Sequence, residues 1–485
     1  MKKLLNVFIG LNIPFLLILI SFGACQPTVK HGQPSENPQP SNPLKEYVSK
    51  ENRELKYELV HERNENTYDY YVLRVESLNW LSEEIVDKTQ WWHWVSVVLP
   101  KNSKSDVSIV FIGGGSQNTK LPENPTKEAS ELAMATGAPT IYIHNIPFQP
   151  LNFVGDSLVN RTEDAIIAYG WRKFLEGGAK NEEAEWLARL PMTRAVMTAV
   201  DAVAEFSQEH HGATIDKYMV AGASKRGWTT WTTAAMDERV IGMAPIVIDL
   251  LDLIPSFKHH WRSYGEWSPA IKDYEREGIM DWMNTEEYDR LLEITDPLNY
   301  LEQVKDIPKL LINASGDEFF LPDSWRFYWE KIEGEKHLLY VPNTGHSLKD
   351  TDAAQVLAGF FKRLVEEEER PRYSWEITDT HIKIKVDPEN GPVQVKLWEA
   401  TNPDARDFRI YVLGPKWRDT TISLSEDGHY EIPIEAPEKG WKGHFVELTY
   451  AGNSPIKVST GIKVLPETYP FDPFTPDTSR INRAQ

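Results

Sequence analysis

From about Leu55 the apolar positions fall into strand-like groups. "YELVHERN", "TYDYYVLRVESLNW" and "WWHWVSVVLP" are rich in β-branched and aromatic residues, as strands are. "VSIVFIGGGSQN" differs: it is an unbroken apolar run ending in three glycines, the pattern of a strand buried on both faces. "TKEASELAMATG" predicts a helix, "PTIYIHNIP" another buried strand, and "EDAIIAYGWRKFLEGG" with "PMTRAVMTAVDAVAEFSQEH" a mostly helical region. Four more strands are expected in "KYMVAGAS", "RVIGMAPIVID", "PKLLINASGDEFF" and "EKHLLYVPNTGHS", then a closing amphipathic helix, "DAAQVLAGFFKRLVEEEE". Strands alternating with helical patterns predict an α/β fold with a mostly parallel sheet.

Two stretches depart from that alternation. Residues of about 250–306 are helical in pattern and dense in Trp and Tyr, as expected of a helical lid over the carboxyl ends of the strands, where open α/β sheets bind ligands. After "EEEERPR" the period changes to two, and "YSWEITDTHIKIKVDP", "PVQVKLWEA", "TISLSEDGHYEIPIEAP", "GHFVELTYAG" and "IKVSTGIKVLP" predict a C-terminal all-β sandwich of Ig-like size. "WWHW" (Trp91–Trp94) is expected to be strand packing rather than a sugar platform.

The N-terminus carries a different signal. Lys2 and Lys3 precede "LLNVFIGLNIPFLLILI" and then "SFGAC", the pattern of a signal peptide over 1–24. Cys25 is the one cysteine of the chain and follows Gly23-Ala24. That placement resembles a bacterial lipobox, with Phe22 where Leu is usual. The expectation is a lipidated Cys25 anchoring the protein to a membrane of the cell envelope, facing periplasm or cell surface, with plain secretion or an uncleaved anchor helix as the alternatives. A single cysteine excludes intrachain disulfides. The Pro-, Ser- and Asn-rich residues 25–44 read as a tether. The expected organisation continues with an α/β domain over 45–370, the β domain over 371–466 and a tail over 467–485. The 485 residues suit two to three domains, and the formal net charge of −20 argues against a nucleic-acid partner.

Candidate chemistry centres on "VAGASKRGWTTW". A buried strand, a small-residue turn and a helix are what a nucleophile elbow requires, because the tight turn projects the serine hydroxyl clear of the sheet. Gly222 stands where a small residue is needed before Ser224. Arg226 stands where one is usual after it, and Gly227 comes one residue late, so an N-capping serine is the competing reading. Chain order favours the nucleophile, since hydrolases of this topology run Ser…Asp/Glu…His. Asp317 follows one strand run and His346 the next, each in a loop. His346 would take the serine proton and return it to the leaving group, with Asp317 orienting it. Asp249, after the preceding strand, is the alternative acid. The N–H of Lys225 and those near Gly114 or Gly115 would form the oxyanion hole. Arg226 could bind substrate charge or simply pair with the protein's own carboxylates. The lid aromatics His260, Trp261 and Tyr264, beside His259 and Trp267, are weaker candidates for substrate contact than for lid packing. No metal or cofactor is expected, since neither H-E-x-x-H nor a cysteine set is present.

Several motifs in order, "FIGGGS", "IYIHNIPFQP", "GASKRGWTTW", "NASGDEFFLPD", "PNTGHS", "WEATNPDARDFR" and "GWKGHFVELTY", resemble the PhoPQ-activated pathogenicity-related protein family. The likeness spans roughly Leu44 to Pro466. It implies an α/β-hydrolase-like domain followed by a β domain, and supports Ser224, Asp317 and His346 without naming a substrate. The elbow is also similar, over a shorter stretch, to those of some glucuronoyl esterases and secreted tripeptidyl-type peptidases. The expected function is therefore a lipid-anchored serine hydrolase cutting an ester or peptide bond in a small molecule or peptide. A non-catalytic envelope binding or signalling protein on the same scaffold is the alternative.

Overall fold

Nine strands share one sheet: β1 (Lys56–Asn64), β2 (Tyr68–Asn79), β3 (Gln90–Pro100), β4 (Val107–Ile112), β5 (Thr140–Ile143), β6 (Lys217–Ala223), β7 (Val240–Ile246), β8 (Lys309–Ala314) and β9 (Lys336–Val341). Their order is β1-β2-β3-β5-β4-β6-β7-β8-β9. The pairs β1·β2, β2·β3 and β3·β5 are antiparallel, and every later pair is parallel. The burial of the strands follows from this split. All six residues of β8 are buried, while β1 exposes every second residue along much of its length. The computed structural model describes residues 42–483 apart from 51–54, 102, 104, 212–214 and 216. The expected signal peptide, Cys25 and nearly all of the tether lie outside the described residues. No helix among the described residues is long and apolar enough to cross a membrane.

Helices cover both faces of the sheet. They are α1 (Pro43–Ser49), α2 (Lys127–Thr136), α3 (Asp164–Glu176), α4 (Arg189–His211), α5 (Lys225–Met236), α6 (Leu253–Tyr264), α7 (Lys272–Arg276), α8 (Glu286–Thr295) and α9 (Ala353–Val365). Local chemistry sets several ends. The Thr126 and Thr285 hydroxyls accept from Ala129 N and Tyr288 N to start α2 and α8, and Gly137 at φ 69° ends α2. On one face, Phe360 and Phe361 of α9 and Leu132 of α2 pack with Ile109, Met219, Leu310 and Leu339 of the sheet. On the other, Val196, Val200 and Val203 of α4 and Trp228 and Trp231 of α5 join Val110, Val220 and the aromatics of α6 to α8. The lid expected over 250–306 is α6 to α8 with short 3-10 turns between them.

The C-terminal region is built of β10 (Tyr373–Ile377), β11 (His381–Val386), β12 (Gln394–Asn402), a short α10 (Ile410–Leu413), β13 (Arg418–Ile422), β14 (His429–Pro433), β15 (Trp441–Tyr450), β16 (Ile456–Ser459) and β17 (Lys463–Leu465). One antiparallel sheet runs β10-β11-β14 and the other β13-β12-β15-β16, with β17 beside β15. Ile382 and Ile384 of the first sheet and Val446, Leu448 and Val458 of the second share one apolar cluster, as in a sandwich. That cluster is continuous with α9 and the parallel sheet. Polar contacts reinforce the junction: Tyr340 N–H donates to Ser459 Oγ at 2.9 Å and Arg363 Nε to Ser454 O at 2.8 Å.

Candidate active site

Five loops leave the carboxyl ends of β4, β6, β7, β8 and β9 and carry, in turn, Gly113–Gly115, Ser224, Asp249, Asp317 and His346. Parallel strands bring those ends to one edge of the sheet, so residues more than 200 positions apart become neighbours.

Ser224 joins β6 to α5 at φ 59°, ψ −127°. A non-glycine residue held there carries about 1–3 kcal/mol of backbone strain. Its N–H donates to Ile246 O at 2.7 Å, and its carbonyl accepts Trp228 N–H at 3.0 Å, so strand and helix both pin the turn. Its side chain makes no hydrogen bond among the described residues and caps nothing, which leaves the hydroxyl available. The two glycines explain the shifted motif. A Cβ on Gly222 would lie 2.7 Å from Arg226 O and 2.9 Å from Arg226 Cβ. A Cβ on Gly227 would lie 2.9 Å from Gly222 O and from Ile248 Cγ2. Because Gly222 has no side chain, residue 226 need not be small, and Gly227 serves the contact between helix and strands.

Arg226 threads back past Gly114, where a Cβ would sit 2.9 Å from its Nη2. Its Nε donates to Ile146 O at 2.6 Å and Nη2 to Glu163 at 2.6 Å. Lys225 Nζ lies 3.0 Å from Glu163 and 2.9 Å from Asp164. Burial alone would raise the Glu163 carboxyl, but Arg226 and Lys225 outweigh it and hold it at about 2. Of the two readings open for Arg226, the structure displays the pairing with the protein's own carboxylate.

The glycine loop is fixed by its carbonyls. Gly113 O accepts Ile146 N–H at 3.1 Å, Gly114 O accepts Asn145 N–H at 2.9 Å and Gly115 O accepts Gln149 Nε2 at 2.6 Å. The N–H groups of Gly114 and Gly115 donate to no acceptor among the described residues. Lys225 N–H lies in the first turn of α5, where helix donors have no intrahelical partner. These are the free donors an oxyanion site needs.

Asp317 and His346 face each other. His346 Nδ1 is 2.9 Å and 3.0 Å from the two Asp317 carboxylate oxygens. A carboxylate only accepts, so Nδ1 carries a proton, which in the neutral ring leaves the lone pair on Nε2. His346 Nε2 is buried without a hydrogen-bond partner among the described residues, Ser224 Oγ included. Asp317 Oδ1 also caps its own loop by accepting Phe319 N–H at 2.8 Å. The C-terminal region secures both loops: Ile410 N–H donates to Gly316 O at 2.9 Å, while Asn343 accepts Trp417 N–H at 2.8 Å and donates to its carbonyl at 3.0 Å. Asp249 is engaged elsewhere, accepting the hydroxyls of Tyr328 (2.5 Å) and Tyr340, and burial pushes it up to about 8.

A narrow cavity of ≈ 30 Å³ opens beside Ser224. Its walls include Trp171, Arg189, Phe257, Tyr274, Phe319 and Phe320. The Phe319 ring also lies 4.2 Å from the His346 imidazole, centre to centre. His260, Trp261 and Tyr264 do not line this cavity. His260 Nε2 accepts Ser268 N–H at 3.0 Å, and its burial keeps it at about 3. Trp261 packs on Trp267 and Phe474, and Tyr264 lies under the Arg409 guanidinium at 4.1 Å. Sequence reasoning missed Arg189 and Tyr274, whose helical periodicity resembles that of any half-buried helix. Among the described residues no group of three or more His, Cys, Asp or Glu is placed to hold a metal ion.

The profile of PhoPQ-activated pathogenicity-related proteins matches residues 44–409. Autocrine proliferation repressor protein A of Dictyostelium discoideum is 35% identical over 463 residues, covering 89% of this chain and 92% of that protein. Among solved structures, an acetyl xylan esterase from Paenibacillus sp. R4 aligns at a TM-score of 0.45 and 16% identity, over 66% of this chain and 92% of that one. Acetyl xylan esterase 1 from Thermoanaerobacterium sp. aligns at 0.44 and 16%, over 64% and 89%. The sheet order, with three antiparallel strand pairs leading into parallel strands and a strained serine after β6, is that of an α/β-hydrolase scaffold. On the extent of the profile match and of the Dictyostelium alignment, the chain belongs to the PhoPQ-activated pathogenicity-related protein family.

Proposed function

We propose that the protein is a serine hydrolase acting on an ester or peptide bond. The observation that carries this reading is Ser224 at φ 59°, ψ −127° on the same sheet edge as the Asp317–His346 pair. In the proposed reaction Ser224 Oγ attacks the carbonyl carbon and His346 Nε2 takes its proton. The tetrahedral oxyanion is stabilised by Lys225 N–H and the Gly114 or Gly115 N–H. His346 then returns the proton to the leaving alcohol or amine, and water repeats the sequence on the acyl-enzyme. Asp317 keeps Nδ1 protonated and stabilises the imidazolium. We propose in addition that Cys25 is lipidated and anchors the protein at the cell envelope, with the residues between Cys25 and α1 as the tether; Pro43 and Leu44, expected in the tether, are buried in α1.

The test is labelling by a fluorophosphonate. Wild type is expected to label and Ser224→Ala not to; an unlabelled wild type would remove the serine-nucleophile reading. A second reading, a non-catalytic signalling protein on this scaffold, is favoured by two observations. Ser224 Oγ and His346 Nε2 share no hydrogen bond, and the Dictyostelium relative is named an autocrine proliferation repressor. It predicts that Ser224→Ala leaves the cellular phenotype intact.

A further inference from the structure

Arg189 opens α4 and is 2% exposed. Its Nη1 donates to Lys225 O at 2.7 Å, in the first turn after the nucleophile, and its guanidinium lies 4.4 Å over the Trp228 ring. Its Nε is buried with no hydrogen-bond partner. No carboxylate among the described residues forms a salt bridge with it, although Asp164 and the Tyr274 hydroxyl favour its charge and Glu163 belongs to the same cluster. Glu163 is held by Arg226 and Lys225, and Asp164 by Lys225 and by the Tyr274 hydroxyl at 3.1 Å. Around the elbow there are thus three cations, Arg189, Lys225 and Arg226, against two carboxylates. Arg189, the cation of the three without a salt bridge, lies on the wall of the cavity that contains Ser224, as do Lys225 and Asp164.

A buried cation without a salt bridge is costly, and burial presses the Arg189 pKa down although Tyr274 and Asp164 oppose it. Such an arrangement suits a site whose counter-ion arrives with the ligand. Asp164, Lys225 and Tyr274 also line the cavity, and apolar side chains, Trp171, Phe257, Ile271 and Phe320 among them, complete its walls. A slot this narrow suits a short chain better than a bulky ring. We infer that the cavity is an acyl subsite for a short arm ending in a carboxylate, received by Arg189, so that the substrates are esters or amides of small dicarboxylic acids. This rests on the serine-hydrolase reading above and narrows its substrate class.

Succinamate and butyramide have the same chain length, and only the first carries a carboxylate. In the full-length protein, succinamate is expected to slow fluorophosphonate labelling of Ser224 about tenfold at a concentration where butyramide has little effect, the gain typical of a charge-assisted hydrogen bond. Arg189→Met should abolish that difference, and Arg189→Lys should weaken it. Equal protection by the two compounds, or protection by neither, overturns the inference while labelling itself leaves the serine nucleophile standing. So does undiminished protection in an Arg189→Met protein that labels at the wild-type rate. Absence of labelling in wild type removes the proposed function and this inference together. The wild-type comparison needs no variant, so a failure of Arg189→Met to fold does not shield the proposal. Monoethyl succinate should likewise be turned over faster than ethyl butyrate in a pH-stat.

Discussion

Glu318 accepts the backbone N–H of His346 at 2.7 Å. Its neighbour Asp317 takes the imidazole of the same histidine, so consecutive carboxylates hold both ends of one residue. Gly345 makes room for this, since a Cβ there would lie 2.5 Å from Glu318 Oε1. Glu318 would act on the proposed reaction only through the position of His346. Glu318→Ala is expected to lower kcat by about tenfold to a hundredfold with little change in KM. Glu318→Gln, which keeps an acceptor oxygen, should restore much of it. Steady-state kinetics on any ester that is turned over would check this, and a KM effect with unchanged kcat would contradict it.

Asp317 and Asp249 should separate cleanly. Asp317→Asn is expected to cut kcat by about 10⁴-fold, because the amide no longer fixes the imidazole tautomer. Asp249→Asn leaves the imidazole partner untouched and should keep most of the activity. The reverse result would assign the acid to Asp249.

Strain at Ser224 predicts a trade of activity for stability. Ser224→Gly relieves the positive φ and is expected to stabilise the fold by about 1 kcal/mol over Ser224→Ala, while both are inactive. Urea denaturation of the two variants measures the difference, and equal midpoints would count against strain.

The buried Asp249 sets a pH dependence of stability. Its folded pKa, about 8, lies above its ordinary value of 3.8. The folded state therefore binds the proton more tightly, and stability falls as pH rises from about 4 through 8. Below that window the contribution is complete. Asp249→Asn should flatten this slope, seen as a smaller loss of denaturation free energy between pH 5 and pH 8.5 than in wild type.

Asp323 ties three parts of the chain together. It accepts from His259 of α6 at 2.8 Å and from Arg406 of the C-terminal region, and all three are buried. Asp323→Ala strands Arg406 and is expected to cost about 3–5 kcal/mol. Replacing both, as Asp323→Leu with Arg406→Met, should recover part of that loss in the same thermal-unfolding measurement.

The parts of the fold that were legible in the sequence share one physical property. Buried parallel strands require unbroken apolar runs, so β4, β6, β8 and β9 could be read directly, and the loops after them located Ser224, Asp317 and His346. The antiparallel joining of β3 to β5 could not be read, because it depends on pairing between segments about 45 residues apart, and strand periodicity carries no partner information. Arg189 and Glu318 were invisible for a related reason. Each is tied to one backbone group of a distant residue, Lys225 O and His346 N–H, and no side-chain pattern records that. The aromatics of α6 drew attention by composition. The face they occupy was decided by Phe474 and Arg409, which lie more than 140 residues downstream.

The clamps on the two loops also impose an order of assembly. Ile410 secures Gly316 and Trp417 secures Asn343, so the loops of Asp317 and His346 depend on residues made later. A chain emerging from the ribosome forms its early elements first. All nine strands of the main sheet can be complete before either loop acquires its restraint. The Asp317–His346 pair is consequently the last part of the molecule to be put in register, so the site proposed for catalysis is set only once the final quarter of the chain has folded on.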